Sequence, residues 1–277
     1  MYRCDCGRFE FAVFELDGNK YCPGCAPPCD HCGKAVGDGR AYFYRGKFWH
    51  ENCYEIVRPR CHVCGLVIDD QFFETSWGNL CKKCYNPQNA CFTCNRQLLP
   101  DKALRLADYR VSCPTCAATA VYRVDKSLVL EIKRYLRWFP DQHITFGTVD
   151  LARLYELRLP INGTALGSCL TLMQGARSGL RAVNHRIMIL FGLPHEICMA
   201  TLVHELFHAW LHENVPINRY AEAETEWLCE QMALNFLQAI RAQDHWLKKV
   251  KTSRDRYPKI SGLKSRGQDT IVRSLLR

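Results

Sequence analysis

Cysteine spacing governs the first 116 residues. Fifteen of the 18 cysteines fall there, nearly all in CxxC pairs, and with one histidine they resolve into four units. Cys4 and Cys6 face Cys22 and Cys25 across 15 residues, and Cys29 and Cys32 face His50 and Cys53 across 17. Cys61 and Cys64 face Cys81 and Cys84 across 16, and Cys91 and Cys94 face Cys113 and Cys116 across 18. Sixteen donors suffice for four tetrahedral sites with none left over, the pattern of closed structural Zn²⁺ sites, which hold folds and do not catalyse. No secretory leader is expected in Met1-Tyr2-Arg3-Cys4, so the thiols are read as metal ligands in a reducing compartment, the cytoplasm first and the nucleus second.

Between the pairs, Phe11 to Leu16, Ala41 to Tyr44 and Phe72 to Thr75 each run into a glycine-containing turn. They predict small hairpins closing on the metal. Such segments bury little apolar surface, so zinc supplies most of their folding free energy. His62 is a spare imidazole expected to face solvent. Fifteen thiolates and four Zn²⁺ lower the region's formal charge by seven, from +2 to about −5. An acidic surface repels phosphate, which disfavours nucleic acid and favours a protein partner. No run approaches the ~20 apolar residues that cross a bilayer, so no membrane partner is expected.

The second constraint is His204-Glu205-Leu206-Phe207-His208, an HExxH sequence. Residues four apart share a helix face, so both imidazoles can reach one ion, with Glu205 beside an open position as catalytic base. Leu202, Val203, Leu206, Phe207, Ala209, Trp210 and Leu211 surround the polar groups, as in a buried helix, where two histidines and a carboxylate are costly unless they coordinate something. A catalytic zinc takes three protein ligands and leaves one position open. His212 lies two turns, about 12 Å, from His204 and is a poor third ligand. A second helix from about Ala221 to Ile240 places Glu226 at the head of a stripe with Cys229, Ala233, Phe236, Leu237 and Ile240, making Glu226 the expected third ligand. Glu230, one turn on, is placed to hold a ligand imidazole; Glu222 and Glu224 are the alternatives to Glu226. Tyr220, Arg219 and His212 are candidate oxyanion donors.

The rest of the chain is read as a helix from Ala117 to Phe139 ended by Pro140, an apolar piece at Ile144 to Phe146, and a helix from about Val149 to Leu157 capped by Thr148 or Asp150. Residues 160 to 185 read as loops and short strands at the rim of a cleft. Arg186 to Phe191 reads as a strand that either pairs with extended substrate or is simply core. From Arg241 onward 11 basic residues stand against 3 acidic ones, read as a solvated helical face. The expected fold is α+β: tandem zinc modules built of small β-hairpins, followed by a mainly helical zincin-type metallopeptidase domain. The expected divisions are 1–27, 28–86 and 87–118 for zinc modules and 119–277 for the peptidase domain with its basic tail.

Two resemblances add to this. Phe48-Trp49-His50-Glu51-Asn52-Cys53, with the order CxxC, HxxC, CxxC, CxxC across residues 29 to 84, resembles a LIM domain, although seven residues, Tyr54 to Arg60, separate the halves. The succession of LIM-like units, a helical linker, Ile189-Leu190-Phe191-Gly192-Leu193-Pro194, the HExxH run through Leu211 and a Glu-rich segment with Cys229 resembles the plant ubiquitin-activated LIM peptidases that restrict organ growth. The spacing of Glu226 after His208 is similarly close to that of the gluzincin class. The resemblance implies a zinc-dependent endopeptidase acting on regulatory proteins, ubiquitin ligases among them, with ubiquitin as a regulatory partner. It also implies one catalytic zinc on His204 and His208 beside the four structural ones. Trp227 departs from it, standing where that family tends to have glycine. The rival reading is a zinc-built interaction scaffold without catalysis.

Overall fold

The computed structural model describes residues 2–10, 14–16, 18–37, 41–44, 46–69, 71–157, 165–176, 179–216, 219–258, 260 and 267–276. It divides into two compact units, Met1–Asn86 and Pro87–Arg277.

The first unit is a string of two-stranded antiparallel hairpins: β1 (Tyr2–Arg3) with β2 (Phe9–Glu10), β3 (Phe14–Leu16) with β4 (Asn19–Tyr21), β5 (Ala41–Tyr44) with β6 (Lys47–His50), and β7 (Phe72–Thr75) with β8 (Gly78–Cys81). A short helix, α1 (Glu51–Val57), follows β6. The cores are minimal. Val36 and Trp49 gather around Cys29, and Ile68 and Leu80 around Cys61. Tyr42 stacks on Tyr54 at 4.6 Å. His62 is turned inward: Nδ1 lies 3.0 Å from the Asn79 carbonyl, and Nε2 is buried with no hydrogen-bond partner among the described residues. The expected solvent-facing imidazole is thus corrected, because the ring is held against the β7–β8 hairpin.

One backbone device recurs through both units. In Cys29–Lys34, Cys61–Leu66 and Cys91–Arg96, the first cysteine's N–H donates to the carbonyl five residues on at 2.8–2.9 Å, while the fifth residue's N–H donates back to that cysteine's carbonyl at 2.8 Å. That fifth residue is Gly33, Gly65 or Asn95, with φ of 71°, 74° and 59°. Glycine and asparagine are the residues that tolerate this left-handed conformation, so CxxC followed by Gly or Asn encodes the knuckle. Cys4-Asp5-Cys6-Gly7 makes a version one residue shorter, with Gly7 at φ 86°.

The second unit has the order of two short 3-10 turns (Pro87–Asn89 and Pro100–Lys102), β9 (Leu104–Arg105), β10 (Val111–Ser112), α2 (Pro114–Ala118), β11 (Ala120–Val121), α3 (Lys126–Lys133), β12 (His143–Val149), α4 (Leu151–Leu157), β13 (Gly167–Ala176), β14 (Gly179–Leu190), β15 (Leu193–Pro194), α5 (His195–Asn214), α6 (Glu222–Ala239), α7 (Asp244–Arg254) and α8 (Gln268–Leu275). A mixed sheet runs β12-β14-β13, with β12 parallel and β13 antiparallel to the central β14. The antiparallel pair β13 and β14 replaces the expected loops and short strands over residues 167–176 and 179–185. Its Gly, Ser and Thr content hid an alternation in which Leu170 and Leu172 are exposed while Cys169 and Thr171 are partly covered. The expected helix from Ala117 to Phe139 is broken into α2, β11 and α3. Val121 pairs with Leu193 instead of continuing a helical turn, and the Asp125 side chain accepts the Leu128 N–H at 3.0 Å to begin α3. Asp150 caps α4, accepting the Arg153 N–H at 2.7 Å. Residues 160–164, 177 and 178 of the expected rim lie outside the described residues.

α5 is buried along fourteen of its twenty residues, which an all-round apolar helix requires. Trp138 packs edge-on to Phe207 at 4.8 Å, and Phe207 stacks on Trp210 at 5.3 Å. Among the described residues no helix is long and apolar enough to cross a membrane. The basic tail is not one solvated face: α7 buries Trp246 and Val250, and α8 buries Ile271 and Leu275.

Cys91, Cys113 and Cys116 belong to the same apolar cluster as the cores of α5 and α6. Buried Arg110 joins them to it. Its Nε donates to Asp108 at 2.7 Å, its Nη2 donates to the Phe191 carbonyl at 2.6 Å, and its guanidinium lies 4.9 Å and 5.0 Å from the Phe92 and Phe191 rings. Asp108 also accepts the Leu151 N–H at the start of α4, at 3.1 Å. Removing one partner of a buried ion pair leaves the other uncompensated, at a cost of about 3–5 kcal/mol. Arg110→Ala is therefore expected to lower the thermal midpoint of the second unit by about 10 °C. Differential scanning calorimetry of the metal-loaded chain checks this, and an unchanged midpoint would contradict the role given to the pair.

Candidate metal centre

α5 places His204 and His208 one turn apart, and their Nε2 atoms stand 3.1 Å from each other. α6 brings Glu226 against both: Oε2 lies 3.4 Å from His204 Nε2, and Oε1 lies 3.4 Å from His208 Nε2. Donors bound to zinc at 2.0–2.2 Å with tetrahedral angles stand about 3.3–3.6 Å apart, and each histidine meets a different Glu226 oxygen at a comparable separation. His204 is 8% and Glu226 7% exposed, depths at which such groups need partners.

The electrostatics follow from that crowding. Burial alone would raise the Glu226 carboxyl, but the facing His204 and His208 rings pull it well below the usual carboxylate range. Burial opposes the charge on His204, yet its bond to Glu226 and the carboxylates of Glu205 and Glu226 push it up to about 9. Burial and the charges of Glu226 and Glu205 raise the Cys229 thiol well above its ordinary value.

Cys229 was legible in the sequence only as an apolar stripe position. It lies one turn from Glu226 on α6, fully buried, with its sulfur and a donor nitrogen from each of His204 and His208 all within 4.8 Å of one another. A His–His–Cys set and the His–His–Glu triangle therefore compete for the same ion. Both sets offer chemistry that zinc accepts, a carboxylate oxygen from Glu226 or a sulfur from Cys229 that coordination would deprotonate.

Glu205 follows the first histidine and is 2% exposed. Its carboxyl is packed against the first residue of β13: a Cβ on Gly167 would sit 2.8 Å from Glu205 Oε1 and 2.8 Å from Thr201 Cγ2. The lack of a side chain at Gly167 thus makes the space that the carboxyl occupies, a requirement the sequence reading missed. Glu230 is partly buried, and desolvation raises its carboxyl; it accepts a hydrogen bond from the Ser253 hydroxyl of α7 at 2.7 Å, with His204 near enough to act on its charge. Glu224 accepts the Ala221 N–H at 2.9 Å, a cap at the start of α6. Arg219 donates to the Leu275 carbonyl at 2.9 Å and lies over the Tyr220 ring at 5.6 Å, so its guanidinium is committed to α8. His212 is held by Thr171, its Nδ1 2.7 Å from Thr171 Oγ1.

The four sulfur-rich groups read from spacing are each gathered. Cys4, Cys6, Cys22 and Cys25 come together, as do Cys29, Cys32, His50 and Cys53; Cys61, Cys64, Cys81 and Cys84; and Cys91, Cys94, Cys113 and Cys116, with one donor atom per residue inside 4.8 Å. In the second group His50 Nδ1 faces Cys32 Sγ and Cys53 Sγ at 3.4 Å and 3.9 Å, while Nε2 donates to the Ala35 carbonyl at 3.0 Å. That outer bond fixes which nitrogen meets the ion. All four groups have the donor chemistry of closed tetrahedral sites.

Sequence and structure thus define a mixed α/β chain built around four Cys/His clusters able to hold metal ions and a helix-borne His–His–Glu centre. Residues 163–276 match the DA1-like family, described as Protein DA1. The chain is 25% identical to Protein DA1-related 1 of Arabidopsis thaliana over 256 residues and 26% identical to Protein DA1-related 2 over 255, covering 76% of this chain in each case. Protein DA1-related 7 is 26% identical over 256 residues. The C-terminal part of the chain is thus similar to the DA1-like family model, and the chain as a whole is similar to DA1-related proteins. It spans about half the length of the curated relatives it matches, 46% and 48% for the first two.

Loss of an outer-shell partner alone weakens a metal site 10–100-fold, so Glu226→Gln is expected to weaken zinc retention at this centre by more than about 100-fold. Cys229→Ser is expected to leave it within about tenfold. Competition with a colorimetric chelator measures both, and the reverse ranking would make Cys229 the ligand.

Proposed function

We propose that the chain is a zinc-dependent endopeptidase acting on regulatory proteins. The observation that carries this is the juxtaposition of the His204–His208–Glu226 triangle with buried Glu205. A purely structural site needs no carboxylate between its two histidines, whereas hydrolysis needs a base there.

His204, His208 and Glu226 would hold the ion. Zinc so placed supplies Lewis acidity, polarising a carbonyl and making water acidic near neutral pH. Glu205 then takes a water proton on its carboxylate and delivers it to the departing amine nitrogen. Its burial and its fit against Gly167 hold the carboxyl in one place and shield it from bulk water. β13 lies at the edge of its sheet, so its outer edge can pair with an extended backbone whatever the side chains, while Leu170 and Leu172 offer apolar contacts. The sulfur-rich modules, acidic once loaded with metal, suit protein partners; by the resemblance of the chain to growth-restricting LIM peptidases, these would include ubiquitin and ubiquitin ligases.

A second reading, a closed and non-catalytic metal scaffold, is favoured by the Cys229 sulfur beside the same histidines. The two are separated by Glu205→Gln. For a peptidase, cleavage of a denatured protein substrate falls by at least about 10²–10⁴-fold, the usual worth of a general base, with zinc content unchanged. Unchanged cleavage would remove the peptidase reading. Gly167→Ala, which crowds the same carboxyl, is expected to lower cleavage in the same assay with metal retained.

A further inference from the structure

A chain of four polar side chains lies beside the donor triangle and plays no part in the chemistry above. The Glu213 carboxylate accepts the backbone N–H groups of Asp141 at 2.7 Å and Gln142 at 3.0 Å, and lies 2.8 Å from His185 Nε2. His185 has no exposed surface, and its Nδ1 is 2.9 Å from Thr171 Oγ1. The same oxygen is 2.7 Å from His212 Nδ1. Thr171 is on β13, and His212 is one turn beyond His208 on α5, so the series begins in the interior and ends at an exposed imidazole next to the histidine pair.

Donor and acceptor bookkeeping gives the series a direction. A carboxylate only accepts, so His185 Nε2 donates to Glu213. In its neutral form, which the relay below assigns to it, His185 then presents a bare Nδ1. The Thr171 hydroxyl has one proton and two ring nitrogens within reach, and it donates to that bare atom. Its oxygen is left to accept, which requires the proton of His212 to be on Nδ1. With its one proton on Nδ1, a neutral His212 ring has none on Nε2.

We propose that Glu213, His185 and Thr171 form a relay that fixes His212 as its Nδ1–H tautomer, making His212 Nε2 a hydrogen-bond acceptor on the open face beside His208. This changes the role expected for His212. A bare nitrogen cannot stabilise an oxyanion; it receives an N–H. Resting on the peptidase reading, the group it would receive is a backbone N–H of a peptide lying along β13. Thr171, His185 and Glu213 are positioning residues that act through His212.

The test does not use activity, so a failure of the peptidase reading and a failure of the relay remain distinguishable. Long-range ¹H–¹⁵N spectra of the zinc-loaded full chain, labelled at histidine and assigned with His212→Gln, report which ring nitrogen carries the proton. The wild type is expected to show His212 protonated at Nδ1 and bare at Nε2. Thr171→Val keeps the strand-compatible shape but cannot relay, and should move His212 to the Nε2–H tautomer; Thr171→Ser should restore the wild-type pattern. A wild-type His212 protonated at Nε2, or a Thr171→Val spectrum unchanged at His212, would overturn the proposal. If Thr171→Val does not fold, the wild-type tautomer alone decides.

Discussion

Two imidazoles and a carboxylate meeting inside an otherwise apolar helix pair is the arrangement on which the second unit depends. Buried polar groups of this kind are costly when unpaired, and no packing of Leu202, Val203, Leu206 and Phe207 around them offsets that cost. The distances of 3.1–3.4 Å among His204, His208 and Glu226 set the three groups where they can satisfy one another or share one cation. Glu205, buried, and Glu230, partly buried, add two more carboxyls to the same region. That concentration of negative charge favours a cation.

Elsewhere the same physics works at small scale. Each sulfur-rich cluster stands on a knuckle whose backbone bonds are local, and the apolar cores beside them amount to a few side chains. Such segments lack the burial to offset chain entropy by themselves. The fourth cluster differs because Cys91, Cys113 and Cys116 share the large core and Arg110 ties their loop to the turn before α5. Metal at that cluster would bear on the stability of the centre itself, while the first three belong to the other unit.

Much of this was legible in the sequence because it depends on local spacing. The sixteen cluster donors, α5, α6 and the place of Glu226 on the apolar stripe of α6 follow from local spacing. What spacing could not reveal was non-local. The β13–β14 pair was concealed by its glycine and threonine content, and Val121 satisfied a helical pattern while pairing with Leu193 in a strand. The role of Gly167 depends on a strand crossing Glu205. The Thr171, His185 and Glu213 contacts with His212 join three elements that no one-dimensional pattern connects. Cys229 was counted as an apolar position because a thiol and a methyl group occupy a stripe equally well.

The most direct test of the central claim is anomalous diffraction at the zinc absorption edge from crystals of the chain grown without added chelator. The account predicts a peak equidistant from His204 Nε2, His208 Nε2 and a Glu226 carboxylate oxygen, in addition to the peaks at the four sulfur-rich clusters. Density at the four clusters with none between the two histidines would contradict it, leaving a metal-built scaffold whose HExxH helix holds no ion.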